Sequence, residues 1–423
     1  MTENRELAAI FEKAQSPFSQ NDQALIEKAY TFAREAHKNQ KRNSGEPYFQ
    51  HCIEVAKNCA SFGADATTIS GALLHDTLED TAVTEESLTE LFGEEITFLV
   101  NGVTKLGKLK YQGVERHVES MRKFFIALAE DIRVLIIKLA DRLHNIQTLE
   151  HVPPEKQRRI AVETIEVYAP LAGRLGMGKL KGILEDYAFP FAYPEEYTET
   201  KKIMEHLVPE ATKAVTIVKK EVEEILDSFS ITATIEARVK HTYSLYRKLV
   251  KYDMDTGKIH DIVALRIIVS SISDCYQVLG LMHMQWKPIP GRIKDWIAVP
   301  KPNGYKSLHT TVVTPHGVVE IQIRTEEMHS DAELGIASHL VYKEVSTGKE
   351  APSMKQQISW LEQLKELSTL ATSTHDMDEL KLDFFNHRIF VFTPKGDVVD
   401  LPEDASAIDF AYMIHSDLGN SLS

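Results

Sequence analysis

The stretch that most restricts how this chain can fold is an apolar, small-residue run, Ile69-Ser70-Gly71-Ala72-Leu73-Leu74, that turns abruptly into His75-Asp76-Thr77-Leu78-Glu79-Asp80. The run suits a buried helix. If the helix continues, His75 lies one turn before Glu79 and Asp76 one turn before Asp80, so an imidazole and three carboxylates leave a core helix together. Burying such a cluster without a partner costs roughly several kcal/mol, and a divalent cation is a common partner for His plus Asp. Two other segments carry matching groups. His51 follows Gly45-Glu46-Pro47-Tyr48, and Asp141 sits in Lys138-Leu139-Ala140-Asp141-Arg142-Leu143-His144-Asn145, a second apolar helix that turns suddenly polar. His51, His75, Asp76 and Asp141 would make four ligands with open positions for water, the pattern of a catalytic rather than a closed structural metal site. Taken singly, each segment reads equally as a solvated helix end.

At 423 residues the chain has room for two or three domains with separate cores. Its net charge of -14 opposes non-specific adhesion to DNA, RNA or an anionic membrane, so any polyanionic ligand needs a local basic patch. Cys52, Cys59 and Cys275 form no CxxC pair and fit a reducing compartment. The N-terminus has no basic stretch followed by an apolar run, and no segment approaches the length of a membrane span. These features give the expectation of a cytoplasmic protein with no membrane partner and no direct DNA binding.

Along the chain, residues 1 to 174 read as all-α. Apolar spacing marks a helix from Asp22 to about Gln40, capped by Asn21 or Asp22, and further helices over Ala66–Leu74, Glu85–Phe92 and Glu94–Val103. A polar stretch Val114–Glu119 precedes a helix Ser120–Glu130. Val134–Ala140 reads as a buried helix delivering Asp141, and Glu155–Ala169 follows Pro154. Residues 175 to 229 look like a connecting helical bundle punctuated by Pro190 and Pro194.

The character changes near Ser230. Ile231–Ile235 alternates and Ile262–Val269 is a β-branched run, so residues 230 to 345 read as an α+β domain. Within it, Glu236–Lys248 holds Arg238, Lys240, Arg247 and Lys248 against one acid, with Ser244 and Lys248 on one helical face. That is a candidate polyphosphate site, or a solvated basic face. Asp261 and Glu320, at expected strand ends, can hold Mg²⁺ against a triphosphate. Between them, Pro302-Asn303-Gly304-Tyr305 is a turn able to present Tyr305 to a purine, with Asn303 and His309 nearby. No GxxxxGK[ST] loop occurs, so a nucleotide here must be held by side-chain cations.

His51, HDTLED and KLADRLHN, with RNSGEPY ahead of them, resemble the HD-type hydrolase domain of the RelA/SpoT alarmone enzymes. RVKHTYSLYRK, HDIVALRIIV, GRIKDW, PNGYKSLHT and VEIQIRTEEMH, in that order, resemble the synthetase domain of the same family. The resemblance implies a multidomain fold: an all-α hydrolase domain (1–174), the helical bundle (175–229), a mixed-sheet, nucleotidyltransferase-like synthetase domain (230–345), and a helix and linker (346–385) with Thr369–Leu382 as linker. An incomplete TGS-like segment (386–423) would follow, opening on a hairpin over Arg388–Pro402.

It implies two opposed activities: transfer of pyrophosphate from ATP to the 3′-hydroxyl of GDP or GTP, giving (p)ppGpp and AMP, and hydrolysis of that 3′-diphosphate. By match to family motifs, His51, His75, Asp76 and Asp141 would bind Mn²⁺, Glu79 and Asp80 would position or deprotonate water, with a pKa raised by burial beside other acids, and Arg42 and Asn145 would contact the nucleotide. Asp261 and Glu320 would hold Mg²⁺, with Glu320 also the base. Arg238, Lys240, Ser244 and Lys248 would neutralise ATP phosphates, and Lys294, Asn303, Tyr305 and His309 would hold the guanine nucleotide.

The intact metal set and the basic Arg292-Ile293-Lys294-Asp295 match bifunctional members, so both activities are expected. The alternatives are a hydrolase whose synthetase half only binds nucleotide, and a nucleic-acid-binding regulator. The resemblance also implies either a chain shortened from a longer one or a naturally short member, with the ribosome or regulatory proteins as partners only if a C-terminal half is missing.

Overall fold

The structure, a computed structural model, describes residues 2–107, 131–259, 261–301, 303–335, 388–392, 398–402 and 405–414. The expected polar stretch Val114–Glu119, helix Ser120–Glu130, and the helix and linker of residues 346–385 lie outside the described residues.

Helices come first: α1 (Thr2–Lys13), α2 (Gln20–Ala36), α3 (Phe49–Ser61), α4 (Ala66–Leu74), α5 (Thr77–Asp80) and α6 (Glu85–Gly107). Ser19, not Asn21 or Asp22, caps α2, because its hydroxyl accepts from the Asp22 amide while the Asp22 carboxylate accepts from the Ser19 amide. Gly93, at φ +82°, kinks α6 between the two expected helices. Contrary to a continuous helix through His75, α4 stops at Leu74 and a short turn intervenes. The His75 ring donates from Nδ1 to the Ala72 carbonyl (2.8 Å) and the Thr77 hydroxyl donates to that of Leu74 (2.7 Å), diverting carbonyls the ladder would use. Asp80 N–H still reaches the Asp76 carbonyl at 2.9 Å, so those two residues remain one turn apart.

Next come α7 (Ile132–Gln147), α8 (Pro154–Glu163), a single π turn over Thr164–Tyr168, α9 (Ala169–Arg174) and α10 (Gly178–Ala192). Pro190 lies inside α10 instead of breaking it. In the last turn a proline forfeits only one backbone bond, and the helix ends before Pro194. These helices share one core running from Ile10 to Ala192, with Leu73, Leu99, Leu139 and Leu184 fully buried.

A 35-residue helix, α11 (Pro194–Ser228), leads to the second core. Its Val215, Val218, Val222 and Leu226 face a sheet built from β1 (Ala233–Val239), β2 (Val263–Val269), β3 (Lys287–Pro288), β4 (Lys294–Asp295), β5 (Leu308–Thr314) and β6 (Gly317–Thr325). The order is β1-β2-β6-β5-β3, with β4 also paired to β5. β2 and β6 are parallel and the other pairs antiparallel. The helices α12 (Thr242–Lys251), α13 (Ile272–Gln285) and α14 (Glu326–Leu334) complete the unit.

Period-2 alternation sorts the sheet's residues. Leu265, Ile267, Val319, Ile321, Ile323 and Val312 enter the core with α11, and Arg238, Arg266, Glu320, Gln322, Arg324, His309 and Thr311 take the other face. Two expectations are corrected here. β1 begins at Ala233 rather than Ile231 and includes Arg238, and Glu320 sits in mid-strand because pairing with Thr311 and Ala264 extends β6 back to Gly317. Near the C-terminus, β7 (Arg388–Phe392) and β8 (Val398–Pro402) form the expected antiparallel hairpin, followed by α15 (Ala407–Ile414).

The two cores meet at α9 and α10. Asp186 accepts from the Tyr243 amide (3.0 Å) and contacts His241 Nδ1 (2.8 Å), while Phe189 packs against Tyr243 and Tyr246. Gly335, at φ +61°, lies so close to the α9–α10 elbow that an added Cβ would stand 2.1 Å from the Leu175 carbonyl oxygen. Gly335→Ala is therefore expected to cost about 3 kcal/mol or more, from clash and backbone strain together. Urea unfolding followed by circular dichroism checks this; a loss below about 0.5 kcal/mol would contradict it.

Candidate functional site

Three elements converge on the first centre. α3 supplies His51, the end of α4 supplies His75 and Asp76, and α7 supplies Asp141. His51 Nε2 is 3.3 Å from Asp141 Oδ1 and 3.6 Å from Asp76 Oδ2, and His75 Nε2 is 3.0 Å from Asp76 Oδ2. One donor atom each of His51, His75 and Asp141 falls within 4.8 Å of the others, and all three residues are buried. Because His75 donates Nδ1–H to the Ala72 carbonyl, Nε2 is the nitrogen it turns into the centre, and the lone pair falls on Nε2 once the ring gives up its second proton. Two inward-facing imidazole nitrogens beside two carboxylates are a donor set that suits a divalent cation, which would take the place of the proton the carboxylates hold on His75.

The acids around it are held ionised. Burial alone would raise Asp141, but Lys138, whose ammonium donates to Oδ2 at 2.8 Å, and His51 carry its pKa well below the usual carboxylate range. Asp76 is likewise lowered, its burial outweighed by the neighbouring His75 and His51. His75 is raised to about 9, Asp76 and Asp141 overcoming burial. This corrects the expectation that burial beside other acids lifts a carboxylate towards neutrality: buried Asp141 and half-buried Asp76 are depressed by their cationic neighbours, and Glu79 and Asp80 are exposed. The Tyr48 hydroxyl lies 2.7 Å from Asp76 Oδ2 and 2.9 Å from Asp80 Oδ2, tying the rim to the centre.

Arg42 and Asn145 are brought to each other. Arg42 Nη2 donates to Asn145 Oδ1 (2.6 Å), and Asn145 Nδ2 donates to Asp141 Oδ1. Arg42 Nη1 also lies 3.2 Å from both His144 Nδ1 and Thr148 Oγ1. The sequence reading missed Tyr48, Lys138 and His144, although Lys138 and His144 stand three residues either side of Asp141, a spacing that stacks them on one helix face.

The second centre lies on the polar face of the sheet. Asp261, just before β2, accepts from the ammonium groups of Lys240 and Lys248 on the same Oδ2, while its Oδ1 is buried without a hydrogen-bond partner among the described residues. Burial lowers Lys240; for Lys248, Asp261 outweighs burial and the pKa rises. Ser244 lies one turn before Lys248 on α12, and Arg238 pairs with Ala264 in the sheet.

Lys248, Asp261, Arg292, Thr311 and Glu320 line one narrow cleft. Glu320 meets His309 Nδ1 at 3.3 Å and accepts from Gln322 (3.0 Å), and against burial the two contacts together lower its pKa. His309 Nε2 is in turn 2.8 Å from the Tyr305 hydroxyl. Lys294 is exposed on β4, paired with His309 in the sheet. Asn303 donates from Nδ2 to the Gly173 carbonyl of α9 at 3.1 Å and accepts from the Tyr305 amide at 3.3 Å.

Three cations here escaped the sequence reading. Lys301 lies over the rings of Trp296 (5.1 Å) and Tyr305 (4.9 Å), and burial, with Lys294 and Lys181, pulls its pKa down to about 8. Arg266 and Arg324 are buried on the same sheet face and share Glu333 at 3.3 and 3.6 Å. A charged residue inside an apolar strand such as Val263-Ala264-Leu265-Arg266-Ile267 was the available signal.

Comparison with known proteins adds three family matches: an HD domain over residues 29–178, a region found in RelA / SpoT proteins over 237–347, and a TGS domain over 389–423. The chain is 46% identical over 406 residues to a GTP pyrophosphokinase of Myxococcus xanthus, covering 94% of this chain and 53% of that protein. It is 46% identical over 400 residues to a guanosine-3′,5′-bis(diphosphate) 3′-pyrophosphohydrolase of Aquifex aeolicus, covering 93% and 56%. It is 44% identical over 399 residues to the bifunctional (p)ppGpp synthase/hydrolase SpoT of Escherichia coli, covering 94% and 57%. The chain thus spans about half the length of the curated relatives it matches. No helix among the described residues is long and apolar enough to cross a membrane.

If the first centre takes a divalent cation, adding Mn²⁺ at a hundred times its Kd to the chelator-treated chain is expected to stabilise it by about 2.7 kcal/mol. His75→Ala is expected to remove that gain. Thermal unfolding with and without Mn²⁺ checks both, and an equal gain in the variant would contradict the assignment.

Proposed function

This chain belongs to the RelA/SpoT family, and on that footing we propose that it both makes and breaks (p)ppGpp, through a hydrolytic centre among the helices and a synthetic centre on the sheet. The observation that carries the reading is the division of labour between two clefts of opposite chemistry: buried imidazoles and acids in one, lysines clamped on a carboxylate in the other.

In the hydrolytic centre His51, His75, Asp76 and Asp141 would hold Mn²⁺, which when bound supplies a Lewis acid and an acidified water. Glu79 and Asp80, exposed on the rim, take the water's proton, and Tyr48 keeps Asp80 in register with Asp76. Arg42, reachable from the opening, exchanges its amide partner Asn145 for a phosphate oxygen, for which its planar fork is suited. Asn145 keeps the Asp141 carboxylate oriented.

In the synthetic centre Asp261 and Glu320 would hold Mg²⁺, the counter-charge for a triphosphate. The clamp on Asp261 stores Lys240 and Lys248 as ammonium ions beside the position of the ATP phosphates, and Arg238 and Ser244 extend that set. Glu320, kept ionised by His309, accepts the proton of the 3′-hydroxyl of GDP or GTP. The 3′ oxygen bonds the β-phosphorus as its bond to the α–β bridging oxygen breaks, and AMP leaves. Tyr305, Lys294, Lys301 and His309 hold the guanine nucleotide. Running both reactions together would only consume ATP. Asn303 bonds Gly173 in the first core, so ligand in the guanine loop can bias the other centre through the α9–α10 elbow.

Asp76→Ala and His51→Ala are expected to abolish pyrophosphate release from (p)ppGpp while AMP formation from ATP and GDP persists. Paired assays check this, and loss of both activities in a folded variant would contradict the division. Glu320→Gln is expected to lower AMP formation at least 100-fold with ATP binding within a few fold, read by calorimetry. Lys301 is cationic below about pH 8 and neutral above it, so GDP binding is expected to weaken as pH rises from 7 to 9. Lys301→Met should flatten that profile; an unchanged slope in fluorescent-GDP titrations would count against the role.

A further inference from the structure

His51 offers two nitrogens to its surroundings, and two acceptors compete for the single ring proton of its neutral form. Nε2 faces Asp141 Oδ1 at 3.3 Å and Nδ1 faces His144 Nδ1 at 2.7 Å. If the proton went to Nε2 it would point at Asp141 and block the lone pair needed inside the centre. His144 decides between these arrangements. Its Nδ1 also lies 3.2 Å from Arg42 Nη1, and a guanidinium has donors only, so His144 Nδ1 must present a lone pair. A bare His144 Nδ1 can then only accept from His51, which assigns the proton to His51 Nδ1 and leaves Nε2 bare. The two rings sit 5.0 Å apart at 31°, with His51 buried and His144 half-buried.

We propose that His144 is a positioning residue: by accepting the His51 Nδ1–H it outcompetes Asp141 for the ring proton and keeps His51 Nε2 free to bind a cation. It acts through His51 and does not itself belong to the ligand set. The inference rests on reading the first centre as a metal site only for its consequence; the proton assignment is a property of the metal-free chain.

The test uses the whole chain labelled with ¹⁵N-histidine, freed of metal and observed by two-dimensional NMR at pH 8, with a His51→Gln spectrum to assign the His51 ring. The unmodified chain should show His51 protonated at Nδ1. His144→Leu should move the proton to Nε2 and weaken Mn²⁺ binding roughly 10- to 100-fold by equilibrium dialysis. His144→Asn, whose Oδ1 falls near the lost Nδ1, should restore both within a few fold. AMP formation from ATP and GDP, which depends on the other centre, should be unchanged in each variant and reports that they fold. A proton on Nε2 in the unmodified chain, or an unchanged His51 in His144→Leu, overturns the proposal. So does equal loss of the Nδ1 proton in the Leu and Asn variants. If the unmodified chain carries the proton on Nδ1 and His144→Leu moves it to Nε2, yet the unmodified chain binds no Mn²⁺, the metal reading fails and the role of His144 stands.

Discussion

A carboxylate that leaves water has to be met by charge, and the helical half of this protein is arranged around that requirement at Asp141. It is 5% exposed, on a helix whose preceding turns bury Val134, Leu135, Ile136, Ile137, Leu139 and Ala140. Lys138 answers one oxygen, and the Asn145 amide answers the other. Removing one partner of such a buried pair typically costs about 3–5 kcal/mol, because the remaining charge is stranded. The same contacts orient the carboxylate, so stability and preparation for a cation come from one set of bonds. α3, α4 and α7 pack where they do because each contributes a group to this balance as well as apolar surface to the core.

The sheet half solves the opposite problem with the same physics. Here cations are gathered in a chain of net charge -14, and two ammonium groups alone in a cleft would repel each other. Asp261 joins them by one oxygen. Arg266 and Arg324 are handled likewise, through Glu333. Strand alternation makes this possible, since Leu265 and Ile321 fill the core from one face while the charged residues between them collect on the other.

Between the halves the decisive contacts involve groups of little chemical note. Gly335 has no room for a Cβ beside Leu175, and Gly182 none beside the His241 ring. The amide of Asn303, a guanine-loop residue in the family resemblance, reaches a backbone carbonyl in the first core. These contacts tie the two cores at that elbow, and a coupling free energy between the clefts, as proposed above, would have to pass through them.

Much of this was legible beforehand. An apolar run turning into His-Asp, a second ending in Asp141, and a basic segment in an acidic chain identify both clefts, because burial and charge are properties of residue type and spacing. The change from helical to alternating pattern near Ser230 identifies the two kinds of core for the same reason. Local competition was less visible: the break at His75 depends on side chains taking the Ala72 and Leu74 carbonyls, and the length of β6 on its partners Thr311 and Ala264. What only the tertiary structure decided was pairing across distance. That His144 faces His51, that Lys240 and Lys248 share one oxygen of Asp261, and that Asn303 points to Gly173 follow from how separate segments pack, since a residue's own neighbours in sequence do not say which distant group will meet its proton.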